Sequence, residues 1–365
     1  MKKMIRCVSL LAVVAGVAPA AVAQELPEWV RKLNLSGDVG VRTEFVRDEK
    51  AANPYDRVRE RGRFRLGMET APVDKVKVAF GVETTGVNPT SAWVDFSEFQ
   101  NQQLFLSHAS LQYAPTGYLT VSGGKLKSNI PYWRPTQLIW KNDVNPYGVA
   151  ANFKAKLPGD AAFFANAGLF ALNEYRDYDD NGTQADLPMN AIFIVQPGVE
   201  VKRGRFSLKG AFAVQQFSLV NHDASGWIKA DRSYTLLNPD WDVSILNVAG
   251  PYRVNFSGEF SHNVNGSADG DAGAYLLSMG FGDEKIDKFK AWQVAAAYRR
   301  VEEDAIPVGM GQTSAYNAEP GKGWEYSFGL GLLKALSFNA TVYHMTNLDG
   351  ERPQLIGQFD LVYKF

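Results

Sequence analysis

Cysteine is missing from everything past residue 7 of this sequence. That excludes a disulfide framework, a thiolate metal site and a thiol nucleophile from the body of the chain. Histidine is scarce too, with four in 365 residues, and no serine–histidine–acid spacing stands out among them. His108 lies on one strand face with Ser110, while its neighbour Ser107 is expected on the opposite face. The chain is therefore read as no enzyme. Net charge is also lacking, at −1, so nothing global suggests a nucleic-acid partner. Past residue 23 there is no apolar run long enough to cross a bilayer as a helix. A helical membrane protein is thereby excluded. A membrane β-barrel is not, because the lumen-facing half of each strand dilutes its apolar residues.

The one apolar run lies at the start. Lys2, Lys3 and Arg6 precede the apolar stretch Val8–Val17, and Ala21-Val22-Ala23 is a small-x-small cleavage signal. Residues 1–23 read as a secretory signal peptide. Residues 24–32 read as a short periplasmic lead and residues 33–365 as a single domain, since no linker or low-complexity tract divides them.

What the chain does have is alternation. In Arg57–Thr70, arginine stands at 57, 59, 61, 63 and 65, with Phe64, Leu66 and Met68 between or after them. On a strand this puts the guanidiniums on one face and the apolar groups on the other. A helix would scatter them. Such a strand suits a solvated antiparallel sheet or the wall of a barrel with a wet lumen. The same two-residue period marks candidate strands at 33–47, 57–70, 75–85, 104–114, 119–127, 148–157, 162–172, 189–202, 205–217, 241–249, 252–263, 272–282, 289–301, 323–334, 336–346 and 353–365. Alternation is blurred in 119–127, 162–172 and 241–249. Short connections follow the even members of this series and long ones the odd, a segregation expected of outer-membrane barrels. The expected fold is all-β: a transmembrane antiparallel barrel of about 16 strands, with short periplasmic turns and long external loops.

Several segments carry a family resemblance. Pro27-Glu28-Trp29-Val30, Leu35–Phe45, Arg59–Thr70, Asp74–Gly86, Ser122–Asn129 and Leu138–Phe153 resemble the bacterial "putative porin" family. The terminal strand ending in Phe365 is similar to the C-terminal signature of bacterial outer-membrane barrels. The resemblance implies an outer-membrane porin: a diffusion channel in contact with membrane lipid and lipopolysaccharide, and a possible homotrimer. It leaves the solute open. Loop Ser128–Tyr147, with Trp133, Arg134, Trp140 and Lys141, is by the same resemblance the candidate constriction loop; packing over the barrel rim is the alternative. Where the family often carries Asp after the loop's second Trp, this chain has Lys141.

Taking the face opposite each apolar face as inward, Arg42, Arg57, Arg59, Arg61, Arg63, Arg65, Lys75 and Lys77 line the lumen, as do Lys154, Lys156, Lys202 and Lys209. Inward cations outnumber inward acids, which favours anions in a pore. Cross-strand pairing of the arginines with Glu44, Glu69 and Glu83 is the alternative, and would make the ladder a scaffold. The functional expectation is passive diffusion of small hydrophilic solutes, with anion preference. The alternatives are a channel specific for phosphate or an organic anion, and a structural or adhesive barrel with a blocked lumen. Asp177, Asp179 and Asn181 open like a calcium loop, but Pro188 occupies the position of its bidentate glutamate. A solvated acidic tip is the main reading there and Ca2+ the minor one; no other cofactor is expected.

Overall fold

The structure, a computed structural model, describes residues 28–48, 55–85, 91–96, 101–172, 190–218, 234–266, 271–307, 310–311 and 320–365. The leader 1–23 and the acidic tip with Asp177, Asp179 and Asn181 lie outside these residues. After a single helical turn, α1 (Glu28–Arg31), every further element among the described residues is a strand. The first hairpins are β1 (Asn34–Asp48), β2 (Tyr55–Val73), β3 (Val76–Thr84), a two-residue β4 (Val94–Asp95), β5 (Leu104–Thr116) and β6 (Leu119–Lys125). Next come β7 (Tyr147–Leu157), β8 (Ala161–Ala171), β9 (Ala191–Arg203), β10 (Phe206–Ser218), β11 (Tyr234–Ala249) and β12 (Tyr252–Asn263). The series ends with β13 (Gly273–Gly282), β14 (Trp292–Val301), β15 (Gly321–Leu333), β16 (Leu336–Thr346) and β17 (Gln354–Lys364). All pairings are antiparallel, and β17 pairs with β1 from Asp38↔Lys364 to Asp48↔Gln354. That last pairing closes the sheet into a barrel of sixteen wall strands with β4 as an extra.

Connections after β2, β5, β7, β9, β11 and β15 are two or three residues long. So tight a reversal puts backbone in the left-handed region. Gly204 and Gly250 take it without cost, and Lys75 (φ 63°) and Ala335 (φ 66°) take it as well. Lys75 is therefore a turn residue, its Nζ directed at the Pro115 carbonyl 3.3 Å away. It does not line the lumen as the strand pattern suggested.

The outward face is apolar, with Leu35, Val39, Val41 and Phe45 exposed on β1 and Leu104, Leu106 and Leu111 on β5. The inward face is not uniformly polar. Phe164 and Phe170 point inward and are buried, while Phe163 and Leu169 of the same β8 point outward and are exposed. A dry interior on this side explains the blurred alternation. It also hides the start of β11, which begins at Tyr234 because Leu236 and Leu237 supply apolar groups to both faces and Pro239 interrupts the strand signal.

The short strand β4 arises where β3 stops. The chain leaves the wall after Thr85, turns Ala92 and Trp93 inward, and returns so that Val94 and Asp95 pair with Gly62 and Arg61 of β2. A register shift between β3 and β5 at Gly81/Val82 turns both Ser107 and His108 inward. Their side chains meet at 2.9 Å (Ser107 Oγ to His108 Nδ1). Strict alternation had put Ser107 on the other face; a bulge cancels that rule locally.

Candidate functional site in the barrel lumen

The inner face of β1 and β2 presents the arginine ladder. Register sets Asp38 opposite Arg65, Arg42 opposite Arg61 and Glu44 opposite Arg59. Arg42 forms a bidentate pair with Asp360 of β17, both contacts at 2.7 Å. Arg63 Nε lies 2.8 Å from Asp38 Oδ1, and Arg65 Nη2 lies 2.6 Å from Oδ2 of the same carboxylate. Glu44 is shared by Arg59 (2.5 Å) and Arg61 (3.4 Å), and Asp95 by the same two arginines at 3.0 and 2.8 Å. Five guanidiniums thus meet Asp38, Glu44, Asp95 and Asp360, with Asp143 of the long loop 3.8 Å from Arg65. The surplus of positive charge expected on this strand is consumed by acids brought in from β1, β4, β17 and a loop. Glu69 pairs with Lys77 (2.6 Å) and Lys127 (2.9 Å) instead of with the ladder. Arg57 stands exposed at the long-loop end, without an ion pair to a described residue.

Trp93 rests on this ladder. The Arg42 and Arg63 guanidinium carbons lie 4.1 and 4.6 Å from its ring centroid, within cation–π range. Arg61 Nη2 donates to its carbonyl at 2.7 Å. Gly40 leaves the space for the indole, since a Cβ there would stand 2.8 Å from Trp93 Cη2.

The segment 126–146 between β6 and β7 folds into the barrel and crosses to the β9–β14 side. Gln196 of β9 accepts from the Trp133 N–H (2.9 Å) and donates to its carbonyl (2.7 Å). Glu259 of β12 accepts from the main-chain N–H groups of Leu138 (3.2 Å) and Ile139 (3.4 Å) and from the Thr136 hydroxyl. Behind these anchors Leu138, Ile139 and Trp140 are fully buried against Phe170, Ile194, Leu236 and Leu276. Residues Ala305, Ile306 and Met310, after β14, close over the same core, and the Lys141 N–H donates to the Met310 carbonyl at 2.9 Å. So the four loop residues singled out by sequence separate. Trp140 and Lys141 are buried and hold the loop down, whereas Trp133 and Arg134 face an aqueous cavity of about 460 Å3.

Lysines gather at one edge of that cavity. Lys154 of β7 lies 2.7 Å and Lys202 of β9 lies 3.5 Å from the single carboxylate of Glu200. Lys209 of β10 sits over the rings of Trp133 (4.6 Å) and Phe164 (4.7 Å). Asp242, which accepts from Asn255 at 2.9 Å, also faces Lys209, whereas Arg134 donates to the Ser128 carbonyl at 2.6 Å and to Asn142 Oδ1 at 3.0 Å and has Asp240 and Glu259 as its acids. Although they point inward, the Lys154 and Lys202 side chains are 58% and 68% exposed, so this part of the lumen is open to water. Across the loop a second cavity, of about 320 Å3, mixes Asp38, Glu83 and Asp143 with Arg65, Lys127 and Lys364. Among the described residues no cluster of His, Cys, Asp and Glu is arranged to hold a metal ion.

Asp360 falls on the inward face by the alternation of its own strand; Trp93, Gln196, Asp95 and Asp143 are not evident from local pattern. Each acts through a neighbour far away in sequence, and nothing in its own strand or loop marks it.

A model of the "putative porin" family matches residues 50–255 and 237–365. Among solved structures, the chain resembles Pseudomonas putida OprB at 12% identity and a TM-score of 0.57, over 92% of this chain and 95% of that one. It resembles the outer membrane channel DcaP of Acinetobacter baumannii at 14% identity and a TM-score of 0.52, over 91% and 97% of the two chains. No curated protein matches it in sequence.

Proposed function

Because this chain belongs to the "putative porin" family and forms an outer-membrane channel barrel, we propose that it passes small hydrophilic solutes by diffusion and prefers anions. The observation that carries the preference is the gathering of Lys154, Lys202 and Lys209 at one stretch of the open lumen, against the carboxylates of Glu200 and Asp242. Charges left unbalanced against a low-dielectric wall focus the field along the aqueous path. The arginine ladder contributes less, since its charges are met by carboxylates within the same wall. Its role is to brace β1, β2 and β17 and to hold Trp93 in the lumen.

The test is a reversal potential measured across a salt gradient on single channels. Lys154→Gln/Lys202→Gln/Lys209→Gln shifts it toward cations, most at low salt, where the Debye length exceeds about 10 Å. An unchanged potential in that triple variant would remove the assignment.

One observation favours a narrower reading. The cavity beside Trp133 sets Lys154, Lys209 and Arg134 around one opening, a combination suited to a carboxylate or phosphate. A channel specific for such an anion would show saturable block of its current by that solute, and a general pore would not. A barrel with a blocked, structural lumen would carry no current.

A further inference from the structure

The smaller cavity, on the β1–β3 side of the crossing loop, has a chemistry of its own. Four strands contribute to one row across its wall. Lys364 of β17 is the register partner of Asp38 of β1, Asp38 that of Arg65 of β2, and Arg65 that of Glu83 of β3. Residues in register share a face of the sheet, and all four line the cavity. The charges along the row run plus, minus, plus, minus.

The two inner charges satisfy each other, with Arg65 Nη2 at 2.6 Å from Asp38. The two outer ones are unspent. Glu83 is 8% exposed and makes no hydrogen bond or ion pair among the described residues. The cations whose field reaches it are committed elsewhere: Arg63 and Arg65 to Asp38, and Lys125 to the Leu106 carbonyl at 2.7 Å. Lys364 is exposed, again with no ion pair among the described residues. The Asp143 carboxylate, on the loop, bears on that of Glu83, and its own ion pair is a loose one, to Arg65 at 3.8 Å. A further group in the same cavity is incomplete. His108 is buried, Ser107 occupies its Nδ1, and its Nε2 meets no partner.

A buried carboxylate without a partner is costly. Two carboxylates side by side, one of them unpaired, leave a place for an ammonium group, and Lys364 at the other end of the row leaves one for a carboxylate. Three strand spacings of about 4.8 Å separate the Lys364 and Glu83 main chains, roughly 14 Å along the wall, and both long side chains shorten the gap between the charges. A single amino acid carries its ammonium and carboxylate on one carbon and cannot reach both ends. An extended peptide covers about 3.3–3.6 Å per residue, so two or three residues fit the row.

We propose that this cavity binds a short zwitterionic peptide of two or three residues, with its ammonium between Glu83 and Asp143 and its carboxylate on Lys364. The site rests on the channel reading but not on the anion preference, which belongs to the lysines across the loop and is read separately by the reversal potential.

The experiment is single-channel recording on the full chain with tri-alanine, its N-acetylated form, its C-terminal amide and free alanine. Tri-alanine should interrupt the current saturably. Each capped form should need a concentration about fivefold higher, and alanine should leave the current uninterrupted. Glu83→Gln should weaken the block by tri-alanine roughly tenfold and leave that by the acetylated peptide as it was. Lys364→Gln should weaken tri-alanine and spare the amide. Asp143→Asn, on the loop, repeats the ammonium test where Glu83→Gln fails to fold. Equal block by tri-alanine and either capped form would overturn the assignment, as would unchanged block in Glu83→Gln and Asp143→Asn. Equilibrium binding of the same peptides in detergent should give the same order even in a barrel that carries no current. A wild-type channel without anion preference that tri-alanine still blocks in this pattern would remove the reading of the lysines and keep this site.

Discussion

The side-chain amide of Gln196 pairs with both main-chain polar groups of Trp133, taking its N–H and giving to its C=O. One glutamine on the wall thus does for the crossing loop what a neighbouring strand does in a sheet. Glu259, further along, accepts from two main-chain N–H groups, those of Leu138 and Ile139. Replacing Gln196 with Ala leaves two buried main-chain groups unpaired, at a cost of about 1–3 kcal/mol each. Gln196→Ala and Glu259→Ala should release the loop, so single-channel recordings should show larger and noisier open currents. Unaltered conductance in both would mean that the apolar packing behind the loop holds it unaided.

Trp93 narrows the lumen from the opposite wall. Trp93→Ala removes the indole from above Arg42 and Arg63 while leaving their carboxylate partners in place. Conductance should rise with little change in ion selectivity. Gly40→Leu should have a similar effect by a different route, because its side chain takes the space of the indole. A drop in conductance in Trp93→Ala would contradict this placement.

Asp38 is the shared acceptor of Arg63 and Arg65, and its side chain is 8% exposed. Asp38→Asn leaves two adjacent guanidiniums without it. Breaking a buried pair from one side costs about 3–5 kcal/mol, so the temperature at which the folded barrel converts to the unfolded band on a gel should fall. A matching Asp360→Asn should act in the same direction through Arg42. A wild-type transition in both would reduce the ladder to incidental contacts.

Lys75 supplies a control for selectivity. It lies in a turn outside the lumen, so Lys75→Gln should leave the reversal potential as it is while Lys209→Gln moves it. Equal shifts would mean that net charge, not position, sets the preference.

Sixteen wall strands were legible because each one separates oil from water, and that demand writes a two-residue period into the chain. The period failed in particular places. At Leu169 and Phe170 both faces of β8 are dry, so no alternation remained to read. At Ser107 a bulge in the β3–β5 register added a residue that only the partner strand reveals. β4 was missed because two residues are too few to show a period. The charge balance of the ladder was misjudged for a related reason. Asp95, Asp143 and Asp360 reach the arginines through barrel closure and loop folding, and neither leaves a mark in the arginine strand itself.

The crossing loop also fixes an order of events in assembly. Its residues lie between β6 and β7, yet their anchors stand on β9 and β12 and their cover comes from Ala305, Ile306 and Met310. A chain paired only through β7 holds a loop with nothing to dock on, and its apolar side, Leu138, Ile139 and Trp140, is without its final neighbours. The loop can seat only when five more strands, β8 to β12, have been laid down, and it is sealed only when the segment after β14 has come into place. The barrel is thus widest while it is being built, and its narrowest part is finished late.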